Sequence, residues 1–249
     1  MPQSKNSALA PSVTTRDPKG TKFMSIVDTA YNKTSLSEDE AQRVNDTPGL
    51  SELIENFVES NRHADKFKPL RLEWQKFYKK LFKLRADFSG VRIPEKPTQG
   101  SWRLIFIPAG LTLNVTLAAM RAKFQVWVYT EDLDAVVTTN TRTSAQSYAI
   151  WVRDGVEPDT DFLGKSTRQA DMDGKIGMTL LERMVFEVKF FVETGEHLDY
   201  KGVTLCTGSR DSGGDVPHLY FDPSFGKVRV DWYRVDGSNP TNGLRQAVA

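Results

Sequence analysis

The sequence of 249 residues has a single cysteine, Cys206, and only three histidines, His63, His197 and His218. One cysteine excludes an internal disulfide and a cysteine-based zinc site. Neither sign of charge is in excess: 33 Lys+Arg face 32 Asp+Glu, a formal net charge of +1. The longest apolar runs, 104–107 and 124–129, fall far short of the roughly 20 residues that a bilayer-crossing helix needs. The first 25 residues hold Pro2, Pro11, Pro18 and Gly20 and no apolar secretory core. The expected setting is therefore cytoplasmic, with no membrane span. No internal repeat or low-complexity tract is visible. The glycines of Gly208–Gly214 lack the GxxxxGK[ST] order of a phosphate cradle. What is present, 39% hydrophobic and 26% charged residues, is the composition of an ordinary globular chain.

Charge divides the chain near residue 100. Residues 1–100 carry 17 Lys+Arg against 13 Asp+Glu, and the remainder 16 against 19. The first part reads as helical. Ser35 precedes Glu38 in capping-box spacing and starts a short polar helix over 35–45. Leu50, Leu53, Ile54, Phe57 and Val58 then recur at i, i+3, i+4 spacing, which predicts a packed amphipathic helix. A third helix is predicted over 70–85, with Leu70, Trp74, Phe77, Tyr78, Leu81 and Phe82 on one face. Pro94, Pro97 and two glycines in 87–100 read as a linker. The expected organisation is a flexible, partly helical segment over 1–46, a helical region over 47–90, a linker over 91–100 and an α+β domain over 101–249.

Within that last domain, 102–107 reads as a strand stopped by Pro108, and 112–124 as a helix. Strands follow at 125–129 and 148–152, then a polar loop over 154–177. The clearest helix is 179–194, with an apolar face from Leu180 to Val192, Glu182 and Arg183 on a polar side, and Gly195 as its C-terminal stop. Short strands at 203–206, 218–221, 227–233 and 244–248 complete the chain, the last expected to pair with the first.

The functional candidates fall into three groups. Lys66–Arg85 holds eight basic residues against the single acid Glu73, and Lys76, Lys79, Lys80 and Lys83 are its candidate anion contacts. The competing reading, a solvated face of a core-packed helix, is favoured because the whole chain is near neutral. Carboxylates near His197 (Glu193, Glu196, Asp199) and near His218 (Asp211, Asp215) are chemically able to hold a metal, yet their spacing matches no metal motif and helix-end charges explain them equally well. No metal and no cofactor are expected. Cys206, in the apolar run VTLC, reads as a buried thiol and not as a nucleophile. Third, 218–222 and 228–233 alternate with the period of a strand. Leu219, Phe221, Val228, Val230 and Trp232 face a core; His218, Tyr220, Asp222, Arg229, Asp231 and Tyr233 face outward. With the loop residues Arg210, Asp211 and Asp215 they would make a mixed aromatic and charged recognition patch.

In the last 150 residues the element order, with Cys206-Thr207-Gly208-Ser209-Arg210 and Gly243-Leu244-Arg245-Gln246-Ala247, resembles the C-type-lectin-like fold. The likeness is to the branch shared by formylglycine-generating-type domains and the variable proteins of diversity-generating retroelements. Leu244 stands where that branch has phenylalanine, and Thr207 where its turn has a second glycine. Residues 101–249 are also similar to a bacterial family carrying WRLIFIPAGLTLN, SYAIWVRD, TLLER and TLCTGSR-like stretches. The lectin-like resemblance implies a ligand-facing row over 218–233 and binding instead of oxidation, since the cysteine pair of the formylglycine enzymes cannot be formed. The expected function is thus non-enzymatic recognition of a protein or small-molecule ligand, with the N-terminal helices as an oligomerisation element. The alternative is a nucleic-acid-associated protein, such as a hydrolase, working through the basic helix.

Overall fold

The computed structural model describes residues 14–61 and 65–249, so His63 lies outside the described residues. Helices make up 37% and strands 19%, an α+β fold with a helical region preceding a mixed sheet region. The chain forms two compact units that divide after Asp65.

The first unit contains helices α1 (Pro18–Asn32), α2 (Glu38–Asp46) and α3 (Leu50–Asn61). The capping box of α2 is built by Ser37 and Glu40, two residues beyond the expected Ser35 and Glu38. Ser35 instead takes a left-handed backbone, φ 52°, in the turn between α1 and α2. The apolar face of α3 exists but is not sealed: Leu53 is 69% and Phe57 61% exposed. Phe57 meets the ring of Phe23 on α1 at 6.5 Å.

The second unit begins with α4 (Lys68–Leu81), and the expected linker proves to be part of its body. Trp74 and Tyr78 of α4 are buried, and the Tyr78 hydroxyl donates to Phe106 O at 2.7 Å. Phe88 and Val91 are buried in the same core. Arg71 Nη2 donates to Val91 O at 2.9 Å, and Trp151 Nε1 to Pro94 O at 2.9 Å. Apolar side chains ahead of the prolines thus make 87–100 a strap across the domain and not a spacer.

Then follow β1 (Trp102–Ile107), α5 (Leu113–Arg121), β2 (Val126–Val128), α6 (Leu133–Val136), β3 (Val137–Asn140) and β4 (Tyr148–Arg153). After them come α7 (Thr167–Met172), α8 (Leu180–Thr194), β5 (Val203–Leu205), β6 (Ser209–Asp211), β7 (Val216–Asp222) and β8 (Lys227–Tyr233). β9 (Asn242–Gly243) and β10 (Ala247–Val248) close the chain. The strands form sheets ordered β1-β4-β10, β2-β8-β7-β5-β9 and β3-β6. The last strand therefore joins the sheet of the first by way of β4, not by direct pairing. The polar loop holds a helix, α7, whose Ser166 and Gln169 form a capping box.

Helix α8 departs most from its expected form. Leu180, Met184, Val185 and Val188 are fully buried, but Val192 is 47% exposed and Leu181 and Phe191 only half-buried. The charged side is inside: Glu182, Arg183 and Glu187 are 0% exposed. Arg183 donates to Glu187 Oε2 at 2.8 Å through Nη1 and to Asp199 Oδ2 at 2.8 Å through Nη2. Arg245 donates to the other oxygen of Asp199, to Thr204 Oγ1 at 3.1 Å, and to Gly155 O and Val156 O at 2.8 and 2.6 Å. Thr204 Oγ1 donates to Asp199 Oδ2 at 2.6 Å. Burial opposes ionisation of Asp199, but Arg245 and Arg183 hold its carboxyl below the usual carboxylate range. A second buried carboxylate, Glu182, accepts from Arg142 at 2.7 Å and from Tyr148 Oη at 2.8 Å.

Removing one member of a buried ion network strands the others. Asp199→Asn is expected to cost about 3 to 5 kcal/mol, whereas Val192→Ala on the same helix should cost under about 0.5 kcal/mol. Urea denaturation of the two variants checks this ordering.

Candidate functional site

The site candidate is built on the β7–β8 hairpin. Its register sets Leu219 opposite Val230 and Phe221 opposite Val228, and on the other face His218 opposite Asp231 and Tyr220 opposite Arg229. Directly opposed residues share a face, so the alternation of each strand becomes two coherent surfaces. On the core side Leu219, Val228 and Val230 are fully buried. Phe221 lies flat on the His197 ring, centroids 4.2 Å apart. β2 pairs in parallel with β8 and sets Trp127 beside Arg229.

On the outer face Tyr220, Arg229, Asp231 and Tyr233 are half-buried, as is Asp222. The Arg229 guanidinium lies 4.4 Å from the Trp127 ring centre and pairs with Asp222 at 3.5 Å. Trp127 therefore holds Arg229 over the sheet, a part of the site that the sequence reading missed. The signal was present in Val126-Trp127-Val128-Tyr129, where alternation places Trp127 and Tyr129 together. Tyr129 is 73% exposed and its ring lies 6.1 Å from Trp232. Asp231 Oδ1 accepts from Trp232 N at 2.9 Å.

His218 stands apart from its row, for it is only 8% exposed. Its ring stacks on Tyr220 and meets Tyr233 edge-on, both at 5.9 Å, and Nδ1 has no hydrogen-bond partner among the described residues. Burial pushes its pKa down to about 4, against a weaker upward pull from Asp231. His218 is thus a neutral spacer beneath the two tyrosines.

The loop residues are not in the row. Arg210 is spent on Asp171 Oδ2, Thr207 O and Ser209 O, at 2.8, 2.6 and 2.8 Å. Asp211 Oδ1 closes its own turn by accepting from Gly213 N at 2.8 Å and Asp215 N at 2.9 Å. Asp215 is half-buried, and its carbonyl accepts from Asp211 N at 3.0 Å. These residues shape the loop that leads into β7.

Near His197, the carboxylates of Glu187, Glu193 and Asp199 are likewise engaged. His197 Nδ1 lies 2.8 Å from Glu187 Oε1, its ring enclosed by Phe124, Phe191 and Phe221. Glu193 pairs with Arg103 and Lys189. Among the described residues no group of three or more His, Cys, Asp or Glu is placed to hold a metal ion. Cys206 is buried, and burial pushes its thiol up to about 12.

On α4, Trp74, Phe77 and Tyr78 face the core, and Lys76, Lys79, Lys80 and Lys83 are exposed. Lys83 ends the helix with φ 58° and donates from Nζ to Lys80 O at 3.0 Å. Among the described residues no helix is long and apolar enough to cross a membrane. In comparisons with known proteins, no family model, curated protein or solved structure matches the chain.

The folded pKa of His218, about 4, lies below the 6.5 of the free side chain. The unfolded chain therefore binds a proton that the folded chain refuses. His218 contributes full stability above pH 6.5, and this contribution is lost as pH falls from 6.5 towards 4. His218→Gln should lose less stability over that interval than the parent protein, read as the change in urea midpoint between pH 7 and pH 4.5.

Proposed function

We propose that the protein is a non-enzymatic recognition protein. In this reading a C-type-lectin-like scaffold presents the outer face of β2, β8 and β7 to a protein or small-molecule ligand. One observation carries it: the hairpin seals Leu219, Val228 and Val230 beneath the sheet and leaves Tyr220, Arg229, Asp231 and Tyr233 above it. The identities of the upper residues are thereby uncoupled from the core. Trp127 extends the upper row, and tyrosine, tryptophan and arginine are the residues that supply most energy to recognition surfaces. The lectin-like assignment is supported by the meeting of the first and last strands in one sheet, and the single cysteine, Cys206, favours binding over oxidation on such a scaffold.

A library randomised at Tyr220, Arg229, Asp231 and Tyr233 is expected to stay largely soluble and cooperatively folded, because surface changes shift stability by about 0.5 kcal/mol. A library at Leu219, Phe221, Val228 and Val230 should collapse, since polar replacements there bury unpaired groups. Equal losses of soluble protein in the two would overturn the reading.

The alternative, nucleic-acid binding, draws on the exposure of Lys76, Lys79 and Lys80 along α4 and of Lys83 just beyond its end. Their phosphate contacts would make affinity fall steeply between about 50 and 200 mM salt. Random single-stranded DNA titrated at the two salt concentrations separates the readings. Recognition by the sheet face predicts weak binding that charge reversal at Lys76, Lys79 and Lys83 leaves unchanged.

A further inference from the structure

At the turn end of the β7–β8 hairpin, a cleft of about 210 Å³ is lined by Trp127, Phe225, Lys227 and Arg229: two aromatic rings, two cations and no acid. Strand pairing and turn geometry bring the four together. β2 runs parallel to β8, and Val228 N donates to Gln125 O at 3.0 Å, so Trp127 is fixed beside Arg229. Lys227 and Arg229, two residues apart on β8, share its outer face at a spacing of about 7 Å. The turn that carries Phe225 is held by its own bonds. Ser224 N donates to Asp222 Oδ1 at 3.1 Å, Phe225 N donates to Asp222 O at 3.3 Å, and Gly226 takes φ 60° to rejoin the strand.

Each cation lies against a ring. Lys227 Nζ is 5.4 Å from the Phe225 centroid, and the Arg229 guanidinium 4.4 Å from that of Trp127. A ring displaces water from a cation without supplying a counter-charge of its own. Asp222 is the acid in contact: it stands opposite Lys227 in the ladder and pairs with Arg229 Nη1 at 3.5 Å. Among the described residues Lys227 enters no salt bridge, and Arg229 Nε is buried without a hydrogen-bond partner, so the fold does not saturate the guanidinium. Tyr220 is the polar group opposite Arg229. With one acid against two cations, the cleft is short of a single negative charge. A polyanion laid along the row would meet Asp222 and also Asp231, two residues beyond Arg229 on the same face.

We propose that this cleft binds a small planar aromatic anion, its ring against Trp127 and Phe225 and its carboxylate or phosphate on Lys227 and Arg229. The inference rests on the reading of this face as a recognition surface and names the ligand class taken at its turn end. An oxyanion on Arg229 makes a charge-assisted hydrogen bond with a guanidinium already oriented by Trp127. A ring in the cleft covers Phe225, which is 64% exposed without it. Neither half suffices alone: an aliphatic acid forgoes the stacking, and a neutral aromatic leaves the cations without their counter-charge.

The test titrates the isotope-labelled full chain with naphthoate and with naphthyl phosphate, read by two-dimensional NMR. At least one of the two anions should give saturable shifts of the Trp127 indole N–H and of the Phe225, Lys227 and Arg229 amides. Naphthamide, which keeps the ring, and cyclohexanecarboxylate, which keeps the charge, should each bind at least about tenfold more weakly. Phe225→Ala and Lys227→Gln should each weaken binding about tenfold in protein whose melting temperature is unchanged; Phe225, exposed in the turn, keeps the test independent of folding. The proposal is overturned by the absence of saturable shifts up to about 5 mM of either anion, by equal binding of naphthamide, or by binding that survives both variants. A single-stranded DNA dodecamer that binds these residues more tightly than either anion would also overturn it, while speaking for nucleic acid. The two readings fail separately: absence of binding strikes the cleft alone, whereas the recognition face is judged by the solubility of its libraries.

Discussion

The second unit is organised around one carboxylate, Asp199, sealed from water and shared by two arginines. Each partner comes from a different part of the chain: Arg183 from α8, Arg245 from the segment before β10, and Thr204 from β5. A buried charge costs several kcal/mol unless it is paired and hydrogen-bonded. Here that cost is offset by a balanced set, Arg183 and Arg245 against Glu187 and Asp199, with every donor nitrogen of Arg245 in use. Asp199 itself sits in a left-handed backbone, φ 58°, held by its own amide donating to Val156 O. Such a network tolerates one arrangement of helix, sheet and closing segment, so it fixes register as well as stability.

The recognition face depends on this arrangement from below. Asp199 O accepts from Phe221 N at 3.2 Å, and Thr204 lies opposite Leu219 in the β5–β7 ladder. His197, bonded to Glu187, forms the floor on which Phe221 stacks. The inner side of β7 is therefore tied to the charge network over its length. The outer side carries the Arg229 contacts with Trp127 and Asp222 and a bond from Tyr233 Oη to Ser238 O at 3.4 Å.

What could be read in the sequence followed from period and capping. The alternation of 218–233 separates the two sides of the hairpin, because a pleat admits only one side-chain period, although His218 of the outer row is buried and Phe221 and Trp232 of the inner one are half-buried. The Thr179 cap and the Gly195 stop mark the ends of α8. Three features escaped, each because the information lies outside the local window. The charges of α8 look like a solvated face, and only their long-range partners Asp199, Arg245 and Arg142 show them to be interior. Pro94 and Pro97 look like a spacer, although Phe88 and Val91 between α4 and β1 draw the segment onto the core. Trp127 joins the site through a parallel pairing with β8, a contact between positions about a hundred residues apart. In the other direction, the apolar spacing of α3 is correct as a helix signal and misleading as a packing signal, for Leu53 and Phe57 remain exposed.

The order of the network along the chain bears on how the protein is made. Arg183, Glu187 and Asp199 precede Arg245, and chains are synthesised from the N-terminus. Until Arg245 emerges, the nascent interior holds two carboxylates and one guanidinium, a set too acidic to be enclosed at low cost. Apart from Ala247 and Val248, the apolar surface of the domain is thus complete before its charge is. Its final closure is set by one late arginine, so a chain interrupted before residue 245 retains the core of α8 and the hairpin but lacks the ion that lets them shut, together with the closing strand residues Ala247 and Val248.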